Sequence, residues 1–189
     1  GASKLASDKL FVAGNSYSGI SGTKFSVVRY GNVMGSRGSV IPHYLSLKGN
    51  SSLPVTDINM TRFMITIEQG IDLVFTAIKD MVGGEIYVRK IPSMRIKDIA
   101  VLIGGKDFEC IGTRPGEKLH EQMIGREDAP YTFEYSGYYK ILPQIHDWFK
   151  DAKRIGSGLP VEKDFVYSSE TNKEWLTASA LKKWIKETY

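Results

Sequence analysis

The most constraining feature of the sequence is an alternation of strand and helix signals that runs from its start to residue 111. Lys24-Phe25-Ser26-Val27-Val28-Arg29-Tyr30 has a largely apolar centre at Phe25, Val27 and Val28, the pattern of a strand buried in a parallel sheet. Further on, Thr66 and Gln69 have the spacing of a capping box, and Ile67, Ile71, Val74, Phe75, Ile78 and Met81 form one apolar stripe at helical period. Gly83-Gly84 stops that helix, and Glu85 to Lys90 follows as a strand with Ile86 and Val88 on one face. Shorter elements fill the intervals. Val40 to Leu47 reads as a helix with Pro42 near its first turn, Lys48-Gly49-Asn50 as a turn and Ser52 to Thr56 as a strand. Ile96, Ile99, Ala100 and Ile103 mark a helix closed by Gly104-Gly105. Such alternation predicts an α/β fold.

The opening residues add a helix. Ala2, Leu5, Ala6, Leu10 and Ala13 follow helical spacing, with Lys9 the polar exception, and Gly14-Asn15 is a natural stop. A chain that begins without Met, directly in a helix, predicts a piece of a longer protein. Beyond residue 111 the pattern loosens. Phe108 to Thr113 reads as a strand, and Tyr131 to Leu142 as a hairpin turning on Ser136-Gly137. Ile155 to Pro160 is a Gly/Ser/Pro loop, and Thr177 caps a last helix carrying Leu181, Trp184 and Ile185.

Composition removes several classes of function. At 189 residues, 42% hydrophobic and 24% charged, the balance is that of a globular chain. It has no apolar run long enough to span a bilayer and no signal-peptide core at its start, so no membrane role is expected. One cysteine, Cys110, permits neither an internal disulfide nor a cysteine-based zinc site, and the expectation is a reducing, cytoplasmic setting. His43, His120 and His146 are too dispersed for a short metal motif, so no metal is expected and each reads as an ordinary polar residue. The net charge of +4 is spread along the chain without an arginine-rich arm, which argues against nucleic acid and suits a small anionic ligand.

Four places in the chain can carry chemistry. In RYGNVMGSRGS, glycines after a buried strand let backbone approach a ligand, Asn32 can donate and accept, and Arg37 can reach a phosphate. A structural turn using glycine explains the same residues equally well. In Arg114-Pro115-Gly116-Glu117-Lys118, proline and glycine fix the loop so that a guanidinium is presented to a diphosphate, with Glu117 able to accept from ribose hydroxyls. A surface turn with a local ion pair is the alternative there, as it is for Thr61-Arg62-Phe63. Lys4, on the first helix, reads as a solvated charge unless a tyrosine stands one helical turn upstream, at position 0.

Taken in order, GASKLASDKLFVAGN, VVRYGNVMGSRGSVIP, MTRFMITIEQG, GGEIYVRKIPSMRIKDIA, RPGEKLHEQMI and VYSSETNKEWL resemble the C-terminal part of an extended short-chain dehydrogenase/reductase acting on nucleotide sugars. More narrowly, they resemble the inverting UDP-N-acetylglucosamine 4,6-dehydratases, the first enzymes of pseudaminic acid biosynthesis. The resemblance implies an α/β fold: the C-terminal portion of a Rossmann-type NAD(P)-binding domain with a smaller substrate-binding domain. Residues 1–92 would belong to the dinucleotide-binding part, with 40–59 crossing into the substrate domain, and 93–189 would be mainly substrate-binding. The implied cofactor is NADP, the implied substrate UDP-N-acetylglucosamine, and the implied assembly a homo-oligomer. The implied chemistry is oxidation at C4, loss of water across C5 and C6, return of hydride to C6 and inversion at C5.

The resemblance also implies roles. Lys4 would be the lysine of a Tyr-x-x-x-Lys pair, catalytic and cofactor-binding. Val33 and Arg37 would contact the cofactor. Asn32, Thr61, Arg62, Arg114 and Glu117 would contact substrate. The partner tyrosine and the glycine-rich dinucleotide loop would lie upstream, so this piece alone is expected to be inactive. The competing expectations are a UDP-sugar 4-epimerase of the same superfamily and a non-catalytic UDP-binding or assembly module.

Overall fold

A computed structural model of the chain describes residues 2–19, 22–49, 52–105 and 108–189. Gly1, read from sequence as the head of the first helix, and Asn50 of the expected turn lie outside them. The chain begins α1 (Ala2–Tyr17), β1 (Val27–Arg29), β2 (Asn32–Val33), α2 (Val40–Ser46), β3 (Leu53–Val55), β4 (Thr61–Ile65) and α3 (Ile67–Asp80). It continues β5 (Ile86–Arg89), β6 (Ser93–Arg95), α4 (Ile96–Gly104), β7 (Phe108–Cys110) and β8 (Gln122–Ile124). It closes with β9 (Thr132–Glu134), β10 (Tyr138–Ile141), α5 (Ala152–Ile155), β11 (Leu159–Pro160), β12 (Tyr167–Ser168) and α6 (Ala178–Thr188).

These elements form two units, each made of three stretches of chain. One is residues 1–30, 68–90 and 123–166; the other is 31–67, 91–122 and 167–189. Residues 40–59 and 93–122 lie in the second unit, and 123–166 lies in the first, whose sheet its hairpin extends.

In the first unit β1 and β5 are parallel, in register Val27↔Ile86 to Arg29↔Val88. The hairpin adds β10 antiparallel to β5, then β9, then β11. Its turn is the expected Ser136-Gly137, closed by Tyr135 N–H donating to the Tyr138 carbonyl at 2.9 Å. Stacked rings of Tyr135 and Tyr138, 4.7 Å apart, flank it. Lys140 on β10 is buried and pairs with Asp80 at 2.8 Å, where Tyr87 also donates at 2.7 Å. Burial is the largest cause pushing the Tyr87 hydroxyl well above the ordinary tyrosine range. α1 does not stop at Gly14-Asn15 but runs to Tyr17. Instead of ending the helix, the Asn15 carboxamide pairs with the backbone of Phe25, accepting from its N–H at 2.9 Å and donating to its carbonyl at 3.0 Å.

The α3 stripe behaves differently from its sequence reading. The helix turns Gly70, Leu73 and Ala77 inward, Leu73 and Ala77 joining Tyr87, Val28, Met81 and Tyr138. Ile67, Ile71, Val74, Phe75 and Ile78 are exposed. Leu73 and Ala77 pack with Tyr87, so the helix covers the face that carries them rather than its most apolar one.

The second unit holds the larger core. Ile41, Tyr44, Leu53, Val55, Met60, Met64, Met94, Ile96, Ile99, Ala100, Ile103 and Leu181 are packed together. β4 is central to it, parallel to β2 and antiparallel to β6, while β3 and β7 pair in parallel. Thr177 caps α6 as expected, accepting from Ala180 N–H at 3.2 Å. Among the described residues no helix is long and apolar enough to cross a membrane, and no cluster of His, Cys, Asp and Glu could hold a metal ion.

Candidate functional site

The second unit contains Asn32, Val33, Arg37, Thr61, Arg62, Arg114 and Glu117, and β4 is the element that brings most of them together. Thr61-Arg62-Phe63 is no surface turn but part of β4. The two halves of that strand do different work. The C-terminal half pairs with β2, Asn32 opposite Met64 and Val33 opposite Ile65. That pairing requires glycine at residue 31, because a β-carbon there would overlap the β-carbon of Phe63 and stand 2.7 Å from its carbonyl oxygen. Beyond Val33 the chain turns twice, Ser36 N–H donating to Val33 and Ser39 N–H to Ser36, and Arg37 stands exposed between them. Neither Asn32 nor Arg37 uses its side chain in a hydrogen bond or ion pair among the described residues.

The N-terminal half of β4 holds the segment after the proline-glycine loop. Thr61 N–H donates to the Leu119 carbonyl at 3.1 Å, and Phe63 N–H to the Glu121 carboxylate at 3.0 Å. The Arg62 guanidinium donates to the carbonyls of Thr61, Leu119 and Lys118 at 2.7, 2.9 and 2.8 Å. Thr61 is buried, its hydroxyl 2.8 Å from Nδ1 of His120 and 2.7 Å from the Ser169 hydroxyl. Ser169 in turn accepts from Glu121 N–H at 2.9 Å and donates its own N–H to the Glu121 carbonyl at 2.8 Å.

Upstream of this anchored stretch, Arg114 to Glu117 closes on itself. Glu117 N–H reaches the Arg114 carbonyl at 3.0 Å, and the Glu117 carboxylate accepts from Arg114 N–H at 3.0 Å. Proline at the second position and Gly116 at φ +79° make it the turn that only glycine in third place enters without strain. The Arg114 guanidinium is exposed and makes no bond among the described residues. The loop is thus a rigid turn that presents one free cation beside one carboxylate.

Lys4 belongs to the first unit, exposed on α1. One turn further along, Asp8 accepts from Arg29 Nε at 2.7 Å. Arg29, at the end of β1, also reaches Asp128 at 3.1 Å and the Met123 carbonyl at 2.8 Å, so it fixes the helix that carries Lys4.

A family described as polysaccharide biosynthesis protein matches residues 1–143, about three quarters of the chain. The chain belongs to that family. Over its whole length it is 46% identical to a UDP-N-acetylglucosamine 4,6-dehydratase (inverting) of Campylobacter jejuni, of which it covers 59%. It is 37% identical to a UDP-glucose 4-epimerase of Rickettsia akari over 75% of the chain and 43% of that protein. The X-ray structure of Pen from Bacillus thuringiensis superposes with a TM-score of 0.83 at 29% identity, covering 98% of this chain and 56% of that one. The match therefore spans 43 to 59% of the length of these relatives. The α/β fold of Rossmann type expected from the resemblance is the one found.

The segments that carry the resemblance owe much to scaffolding that sequence reading missed. Tyr167 of VYSSETN bonds the backbone of Ile91 through its hydroxyl and packs on Phe63 with ring centroids 4.7 Å apart. Asn172 reaches the Ile91 carbonyl, the Ser93 hydroxyl and the Glu174 carbonyl. Arg29, His120, Glu121, Ser169 and Asn172 carry no spacing signal, because their partners lie far away in sequence.

Proposed function

We propose that this chain is the C-terminal part of a UDP-N-acetylglucosamine 4,6-dehydratase that inverts C5, the first step toward pseudaminic acid. The observation that carries the reading is the Arg114–Glu117 turn, anchored through 118–121 to β4 with its guanidinium unspent, in a chain 46% identical throughout to a dehydratase of that name. Arg114 is suited to the diphosphate, Glu117 to ribose hydroxyls and Asn32 to the sugar. Thr61 and Arg62 stand at the base of the same site. NADP, when bound, supplies the oxidation at C4 and the return of hydride to C6. The residues here fit their share of it. Arg37 has no other partner among the described residues and sits exposed between glycines, where a phosphate can reach it, and Val33 ends the strand below. Lys4, on a helix held by the Asp8–Arg29 pair, would favour the phenolate of a tyrosine one turn upstream.

A UDP-sugar 4-epimerase is the second reading, favoured by the identity to the Rickettsia akari enzyme. Mass spectrometry of UDP-N-acetylglucosamine incubated with the protein of the whole reading frame separates the two. A dehydratase releases a product lighter by one water; an epimerase releases one of unchanged mass.

A further inference from the structure

Arg62 sits where a nucleotide contact is expected, yet its bonding is that of a strut. Both protons of Nη1 are directed at carbonyls, those of Thr61 and Leu119, and Nη2 donates to Lys118. Nε faces a Glu121 carboxylate oxygen at 3.8 Å, and the side chain is only 13% exposed. A guanidinium has five N–H groups; three are donated here, and of the remaining two the one on Nε faces Glu121. Two of the carbonyls it holds immediately follow the Arg114–Glu117 turn. The neighbouring hydroxyl is committed as well. Thr61 is held between Ser169 and His120, and Nε2 of His120 faces Glu170 at 3.5 Å. A carboxylate at Nε2 favours the proton there, which leaves Nδ1 to accept from Thr61.

We propose that Arg62 and His120 are positioning residues for the nucleotide clamp. They fix the backbone of 118–121 so that Arg114 and Glu117 meet the diphosphate and ribose, and they do not touch the ligand themselves. This rests on the UDP-sugar reading for what the clamp binds, but the strut is a property of the protein without ligand.

The test combines amide hydrogen exchange and UDP titration of the protein of the whole reading frame with its R62M, R62K, R114A and R62M/R114A variants. A strut predicts faster exchange at Glu117 and Glu121 in both R62M and R62K without ligand, since an ammonium cannot reproduce a planar fork across three carbonyls. R114A leaves that exchange unchanged. UDP affinity falls about tenfold in R62M and R62K, and R62M costs less than about twofold more once R114A is present, because coupled residues are not additive. H120A weakens UDP binding in the same non-additive way. The proposal is overturned if R62K binds UDP like the parent, if the R62M and R114A losses multiply, or if exchange at 114–121 does not change. Should R62M fail to fold, R62K carries the same comparisons. If the parent protein of the whole reading frame does not bind UDP, the nucleotide reading fails, and exchange alone then upholds or overturns the strut.

Discussion

Replacing Tyr167 by phenylalanine removes one oxygen and should cost more than its size suggests. The hydroxyl accepts from Ile91 N–H at 2.9 Å and donates to the Ile91 carbonyl at 3.1 Å. The carbonyl keeps the Asn172 carboxamide at 2.8 Å, so it stays satisfied. The amide has no second partner among the described residues, and Ile91 is 1% exposed, so water does not replace the lost acceptor. An unsatisfied buried donor costs about 1–3 kcal/mol. The ring contact with Phe63 survives, so no packing term adds to it. For a chain of this size about 2 kcal/mol corresponds to a fall in Tm of roughly 4–8 °C. Thermal and urea denaturation of Y167F measure the loss, and exchange of the Ile91 amide localises it. A change below about 0.5 kcal/mol, the range of unremarkable surface substitutions, with Ile91 still protected, would refute the reasoning.

Gly31→Ala forces a β-carbon against Phe63 and should destabilise by about 1–3 kcal/mol in urea, as overpacking does; a neutral result would contradict the close approach of β2 and β4. On α3, Leu73→Ala should cost about 2–5 kcal/mol, whereas Phe75→Ser, on the exposed face, should stay within about 0.5 kcal/mol. The reverse order in melting experiments would mean that the stripe is the buried face after all. The Asp151 carboxyl is held below its ordinary range, chiefly by Lys153 N–H and also by Arg154. Its contribution to stability is therefore present above about pH 4 and lost as pH falls through the lowered value. Asp151→Asn should flatten the acid limb of the stability profile in that window, and an unchanged limb would count against the interaction.

Much of the fold was legible because it rests on local signals. The β1 and β5 strands, the glycine stop after α3, the Ser136-Gly137 turn and the Thr177 cap all depend on residues within a few positions of each other. The α3 stripe misled because periodicity reports that a face is apolar, not which face is covered; the covered one carries Leu73 and Ala77, which meet Tyr87. Asn15 misled in the same way, since its side chain found Phe25 ten residues on instead of ending the helix. In the candidate site, Arg114, Pro115, Gly116 and Glu117 could be read as a fixed turn from sequence alone. That Arg62 is tied to Lys118 and Leu119, and Thr61 to His120 and Ser169, could not, because pairings across 56 to 108 residues leave no local trace. The segments that carried the resemblance proved to be the ones that bolt this scaffold together.

The most direct test of the functional account is the mass of the product formed from UDP-N-acetylglucosamine by the protein of the whole reading frame, beside its R114A variant. The account predicts a product one water lighter, formed with a clearly raised KM in R114A. A product of unchanged mass, or an R114A variant indistinguishable from the parent, would contradict it.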